Sequence, residues 1–205
     1  MATDFFMDTE GLRPFPMEDA EVYYLGQLLI AESASVVMNR LIQEIPWRAE
    51  KIVVWGKSFP QPRLIAWYGD EGNDYTYSGI HMNPLPWTTE LLDLKARVEA
   101  VSGESFNSVL LNYYRDHRDS MGMHSDNEPE LGERPIIASL SLGEERTLIF
   151  KHKLRKDLKP VRMRLESGSL LLMKGQTQQY WKHGIGKENQ PCGSRVNLTF
   201  RRILL

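Results

Sequence analysis

Arg195-Val196-Asn197-Leu198-Thr199-Phe200-Arg201 is the stretch whose reading decides the fold. Polar and apolar residues alternate without a break, the two-residue period of a β-strand. Val196, Leu198 and Phe200 leave on one side and form a core face, while Arg195, Asn197, Thr199 and Arg201 leave on the other. Burying two guanidinium groups on an inner face costs on the order of several kcal/mol unless anions compensate. An edge strand with this face in solvent is the competing reading. The arginines sit six residues apart, about 20 Å along a strand. Long side chains reaching inward from both ends can grip the two carboxylates of a small dicarboxylate, each by a bidentate fork. Upstream, Leu110, Asn112 and Tyr114 share a face and offer an amide and a phenol to answer it.

Outward from this strand, the pattern predicts further strands near 107–114, 136–142, 146–151, 161–165 and 169–173. Turns fall at Gly143-Glu144-Glu145 and Ser167-Gly168. Many short strands joined by turns point to an antiparallel sandwich or jelly roll. Before them, Val37, Leu41 and Ile45 recur at helical spacing in a helix that Pro46 stops. A second helix runs from the N-cap Thr88 to about Val101, burying Leu91, Leu94, Val98 and Val101. The fold class is thus mainly β with flanking helices. Residues 1–21, with six acids against Arg13 and with Pro14 and Pro16, read as a flexible acidic arm, and 22–205 as a single domain.

A net charge of −2 means that the average field recruits neither nucleic acid nor an anionic membrane, so any polyanion must meet a local patch. The single cysteine, Cys192, rules out an intrachain disulfide and a cysteine-built zinc cage. Met1 to Glu10 is acidic where a signal peptide would be basic and then apolar. No apolar run reaches the roughly 20 residues of a membrane span. The expectation is a monomer without membrane contact, cytoplasmic, or nuclear if eukaryotic.

His124 and Asp126 stand two apart, so on an extended backbone both leave one face and can reach a single ion. His183 is the best third ligand. Two histidines and a carboxylate form the facial triad of non-haem Fe(II) oxygenases, which leaves positions for a co-substrate and O2. Alone, His-x-Asp is a weak signal. The two arginines of 195–201 give it weight, since they need an anion. His81, His117 and His152 read as surface or loop residues.

With those residues in view, the sequence resembles the AlkB family of Fe(II)/2-oxoglutarate-dependent dioxygenases. It is closest to the subgroup containing the human type-2 and type-3 homologues. The resemblance rests on His124-x-Asp126, His183 and Arg195-x-Asn197-x-Thr199-x-Arg201, joined by Val54-Trp55-Gly56-Lys57, Pro62-Arg63, Tyr68-Gly69-Asp70 and Tyr75-Thr76-Tyr77-Ser78-Gly79. Pro86-Trp87, Asn112-x-Tyr114 and Gly168-Ser169-Leu170 extend it over roughly residues 50–205.

The resemblance implies a double-stranded β-helix. Residues 22–105 would supply a nucleotide-recognition lid and supporting helices, and 106–205 the catalytic core. His124, Asp126 and His183 would bind Fe(II) and act as the catalytic residues. Arg195 would meet the distal carboxylate of 2-oxoglutarate and Arg201 the carboxylate beside the keto group. Asn112, Tyr114, Asn197 and Thr199 would complete that pocket. The implied reaction consumes O2 and 2-oxoglutarate, yields succinate and CO2, and hydroxylates a methyl group on a base nitrogen. Formaldehyde is then lost from substrates such as N1-methyladenine and N3-methylcytosine.

A base inside a duplex must be flipped out to reach such a site. By the resemblance, Tyr77 and the His124 ring would sandwich it, with Tyr75 and Arg63 nearby and Glu128 at the base edge. Trp55 would be the wedge that fills the gap in the strand. Ordinary sheet packing of the tyrosines and a core position for Trp55 are the competing readings. Seven basic side chains in 151–164, against Asp157 alone, would meet phosphates, or form a solvated loop. The expected partner is nucleic acid, DNA ahead of RNA. A 2-oxoglutarate dioxygenase acting on a protein or small molecule is the alternative enzyme. A non-catalytic nucleic-acid-binding module is the alternative of another class.

Overall fold

The computed structural model describes residues 11–54, 57–72, 75–77 and 80–204, with the backbone alone for 52–54, 57–58, 75–77 and 80–82. In chain order the elements are β1 (Arg13–Pro14), β2 (Glu21–Leu25), α1 (Ala34–Glu44), β3 (Lys51–Val54), β4 (Lys57–Pro60) and β5 (Leu64–Gly69). Then come β6 (Tyr75–Tyr77), β7 (Ile80–Met82), α2 (Thr89–Ser102), β8 (Ser108–Tyr114), β9 (Met121–His124) and β10 (Ile137–Gly143). The chain closes with β11 (Arg146–His152), β12 (Val161–Leu165), β13 (Leu170–Lys174), α3 (Thr177–Tyr180), β14 (Trp181–Ile185) and β15 (Arg195–Arg201).

A larger sheet in the order β1-β2-β13-β10-β15-β8-β5 faces a smaller one in the order β12-β11-β14-β9, all pairings antiparallel. This is the jelly roll, or double-stranded β-helix. The strand that carries the two arginines is central. β15 lies between β10 and β8, and all seven of its residues are buried. That excludes the edge-strand reading. Val196, Leu198 and Phe200 join the layer that α1 and α2 cover, together with Val37, Leu41, Leu91, Leu94 and Val98. The opposite face of the same sheet packs Leu110, Tyr114 and Ile137 against Leu148, Phe150 and Trp181 of the smaller sheet. The site is built in this second layer.

The helices form for local reasons. Ser33 caps α1 by accepting from the Val36 N–H, and Ile45 leaves the helix extended ahead of Pro46. Thr88 caps α2 through the Leu91 N–H at 3.2 Å, and Gly103 ends it at φ 69°, which costs a residue without Cβ little. Val101 is 38% exposed and outside the buried stripe expected of it, which is confined to Leu91, Leu94 and Val98.

The expected arm of residues 1–21 needs correction where it is described. Residues 1–10 lie outside the described residues, but β1 pairs with β2, and β2 pairs with β13. The tip of this hairpin docks on the smaller sheet. The Trp181 Nε1–H donates to the Glu18 carbonyl at 2.8 Å, and Asp19 stands 3.3 Å from His152 Nε2. His152 is accordingly no surface residue. Its ring is buried against Tyr180 and Trp181.

Candidate active site

β9 and β14 are neighbours, and their register sets His124 opposite His183 with ring centroids 4.4 Å apart. Gly184 permits this approach. A Cβ there would stand 2.8 Å from the Met121 carbonyl oxygen and 3.0 Å from that of Gly122. Asp126 follows β9 on a loop that is pinned twice. The Ser125 hydroxyl donates to the Trp181 carbonyl at 2.8 Å, and the Asp126 N–H donates to Gln178 Oε1 at 2.9 Å. The carboxylate is thereby turned inward. Its oxygens lie 3.9 Å from His124 Nε2 and 3.6 Å from His183 Nε2, and one ligand atom from each of the three residues falls within 4.8 Å of the others.

The protonation of these groups suits a cation. His124 Nδ1 is 2.9 Å from the Gly122 carbonyl, which can only accept, so Nδ1 is the donor and Nε2 is the nitrogen turned toward Asp126. Burial, reinforced by His124, brings His183 down to about 3 against the pull of Asp126, so its imidazole is neutral. Burial by itself favours the neutral acid at Asp126. The Arg201 guanidinium, 2.6 Å away, outweighs it and holds the carboxyl well below the usual carboxylate range. Two imidazole nitrogens and one buried carboxylate are the donor set that a divalent iron takes.

The same cavity is lined by Tyr114, Ser139, Arg195, Asn197, Thr199 and Arg201. Asn197 is held by its neighbours, its Nδ2 donating to Ser139 Oγ and the Leu140 carbonyl, while Thr199 donates to its Oδ1. Arg195 is different. Its Nη2 donates to Ser141 Oγ at 2.8 Å and its guanidinium lies 5.2 Å from the Tyr114 ring centre. Yet Nε and Nη1 have no hydrogen-bond partner among the described residues, and neither does Asn112 Nδ2. Burial brings Arg195 down to about 10, Tyr114 acting against it and Arg146 with it, so the group is still a cation at neutral pH. Each unmet buried donor costs about 1–3 kcal/mol, and more when charged. A buried cation with idle donors calls for an anionic ligand, and a carboxylate of 2-oxoglutarate fits it.

Other expected residues sit as follows. Asn112 faces Asn197 and Tyr114 faces Arg195 across β8 and β15. Arg63 is buried, its Nε donating to Asn112 Oδ1 at 2.7 Å, so it is packed inside rather than on an open surface, and neither residue lines the cavity. Ser120 N–H bonds to the Pro62 carbonyl, which draws this loop inward. Glu128 is half-buried at the start of the 3-10 turn Pro129–Leu131. Trp55 lies outside the described residues. Tyr75 and Tyr77 are on the hairpin β6·β7, and their side chains lie outside the described residues. In the basic stretch, Arg155 pairs with Asp157 and Glu18, and Arg164 with Glu145. Lys151, Lys156, Lys159 and Arg162 are exposed and have no ion pair among the described residues, and Lys182 faces Lys151 across β11 and β14.

Sequence reasoning missed β9 and β14, the strands that deliver both histidines. Their alternation is short and broken by Gly122 and Gly184. It also missed Gln178 and Arg146, whose partners are backbone groups distant in sequence.

The profile of the 2OG-Fe(II) oxygenase superfamily matches residues 21–201. The rat alpha-ketoglutarate-dependent dioxygenase alkB homolog 3 is 42% identical over 209 residues, covering 96% of this chain and 70% of the relative. The human DNA oxidative demethylase ALKBH2 is 41% identical over 161 residues, covering 76% and 62%. The solved structure of OsALKBH1 superposes with a TM-score of 0.60 at 17% identity, covering 93% of this chain and 99% of that one. The metal-ready triad, the buried cation beside it and these similarities agree: the chain belongs to the 2OG-Fe(II) oxygenase superfamily and is an Fe(II)/2-oxoglutarate-dependent dioxygenase of the AlkB family.

Proposed function

We propose that the protein oxidatively removes alkyl groups from damaged nucleic-acid bases, N1-methyladenine and N3-methylcytosine in DNA foremost. One observation carries the reading. His124, Asp126, His183 and the under-satisfied Arg195 open on a single cavity, in a chain whose relatives at 40–42% identity include proteins named DNA oxidative demethylase. When bound, iron and 2-oxoglutarate supply the oxidising chemistry, with one oxygen atom of O2 ending in succinate and the other in the hydroxylated methyl group.

The chain's own groups do the rest. Nε2 of His124, Nε2 of His183 and the Asp126 carboxylate hold the metal. Arg201 keeps that carboxylate ionised and oriented through its 2.6 Å bond. Arg195 takes the distal carboxylate of the co-substrate, Tyr114 and Asn112 flank it, and Asn197 and Thr199 close the wall. The His124 ring, the most open of the three ligands, would stack on the flipped base with Tyr77, beside Tyr75, Arg63 and Glu128. Trp55 would stand in the vacated place. Exposed Lys151, Lys156, Lys159, Arg162 and Lys182 would meet phosphates. The hydroxymethyl product on nitrogen then loses formaldehyde. The residues 22–105 act as lid and support, and the protein works as a monomer in the cytoplasm, or in the nucleus of a eukaryote.

The test is incubation with Fe(II), 2-oxoglutarate and matched single- and double-stranded oligonucleotides carrying either lesion, with repaired base and formaldehyde both quantified. Equal repair by wild type and by a Tyr77→Ala/Trp55→Ala double variant would reject the base pocket. Succinate formation without repair of any oligonucleotide would favour a protein or small-molecule substrate.

A further inference from the structure

Arg146 opens β11 and is wholly buried, yet no part of the chemistry above uses it. Its Nη2 donates to two backbone carbonyls, Asp119 at 2.9 Å and Gly186 at 2.5 Å. Its Nη1 lies 3.5 Å from the Asp116 carbonyl, and Nε is 3.4 Å from Glu188. The guanidinium also lies 5.7 Å from the centre of the Tyr114 ring that Arg195 contacts. The carbonyls belong to two segments. Residues 115–120 run from β8, the strand of Asn112 and Tyr114, into β9, which ends at His124. Residues 186–188 leave β14, the strand of His183. One further bond, from the Glu188 N–H to the His117 carbonyl, joins the segments directly.

The placement matters because the ladder between β9 and β14 is weak where the histidines meet. It records only two pairings, His183 with His124 and Ile185 with Met121, and the register shifts between them. A bulged ladder this short leaves the separation of the two rings loosely set. We propose that Arg146 is a positioning residue for the metal centre. It clamps the chain ahead of β9 to the chain after β14, fixes the approach of His124 to His183, and seats Tyr114 at the co-substrate end. A planar fork reaches both segments at once, which a single ammonium cannot. The inference rests on the reading of His124, Asp126 and His183 as the metal ligands.

The probe is Co(II) added to the apoprotein, followed by its visible absorption, below the melting temperature of each variant. His124→Ala is expected to abolish the signal, and undiminished binding there would overturn the ligand assignment itself. Arg146→Gln should bind about 10- to 100-fold more weakly, the usual effect of removing a partner outside the ligand set. Arg146→Lys should fall between that variant and wild type, and it decides the question if Arg146→Gln does not fold. Cobalt affinity within threefold of wild type in a folded Arg146 variant, with only the apoprotein melting temperature lowered, would reduce Arg146 to a structural staple and overturn the proposal.

Discussion

Asp126→Ala tests the energetics of the site as well as its chemistry. Asp126 and Arg201 are each about 1% exposed, and their side chains meet at 2.6 Å. Removing one member of a buried ion pair leaves the other desolvated without compensation, at a cost of about 3–5 kcal/mol. For a domain of this length each kcal/mol moves the midpoint by about 2–4 °C. The metal-free variant should therefore melt roughly 6–20 °C below wild type, besides forming no succinate. Adding Arg201→Met should recover part of that loss, because the stranded cation is gone. The assay is calorimetry in the presence of a chelator on wild type, both single variants and the double variant. A single-variant midpoint within about 2 °C of wild type, or strictly additive losses in the double variant, would refute the claim that the pair is a buried, coupled one.

Arg195→Lys keeps a cation but loses the fork, so KM for 2-oxoglutarate should rise about 10- to 100-fold, as for the loss of a charge-assisted bond; succinate kinetics at unchanged KM would contradict the co-substrate role. Gly184→Ala drives a methyl group onto the Met121 and Gly122 carbonyls and should cost about 1–3 kcal/mol by overpacking. Metal affinity should fall with it, and an unaltered melting curve would show that the two strands are free to part. Asp119 titrates below its usual range. Burial opposes this, but the Arg115 guanidinium and N–H outweigh it. A depressed folded pKa means stability present above about pH 4 and lost as pH falls below it, so Asp119→Asn should flatten the acid limb of the melting-temperature profile. Identical limbs in the two proteins would remove Asp119 from that account.

Much of the fold was legible because its signal is local. Alternation in 195–201 and in the strands near 107–114, 136–142 and 146–151 is set by each residue's own polarity, and the structure has strands at all four. Thr88 announced its helix because a cap needs only the next turn, whereas the Ser33 cap of α1 emerged only with the structure. Legibility failed where the deciding partner is far away. The Arg63 guanidinium turns inward to Asn112, 49 residues on, a contact that no motif near Pro62 announces. The stretch 13–21 reads as part of an arm because its acids look unsupported, while their partners His152 and Arg155 lie at and just beyond the end of β11.

The sequence by itself determined which residues could form the site: two imidazoles and a carboxylate able to hold a metal, and a strand with two arginines on one face. Only the tertiary structure decided how those arginines are partnered. β15 is enclosed between β10 and β8, so both guanidiniums are cut off from water. Arg201 then meets its charge in Asp126, 75 residues away, and Arg195 keeps two donors without a hydrogen-bond partner among the described residues. A charge on an exposed strand needs no partner, and it is burial, a property of the whole fold, that makes this alternation a candidate binding site.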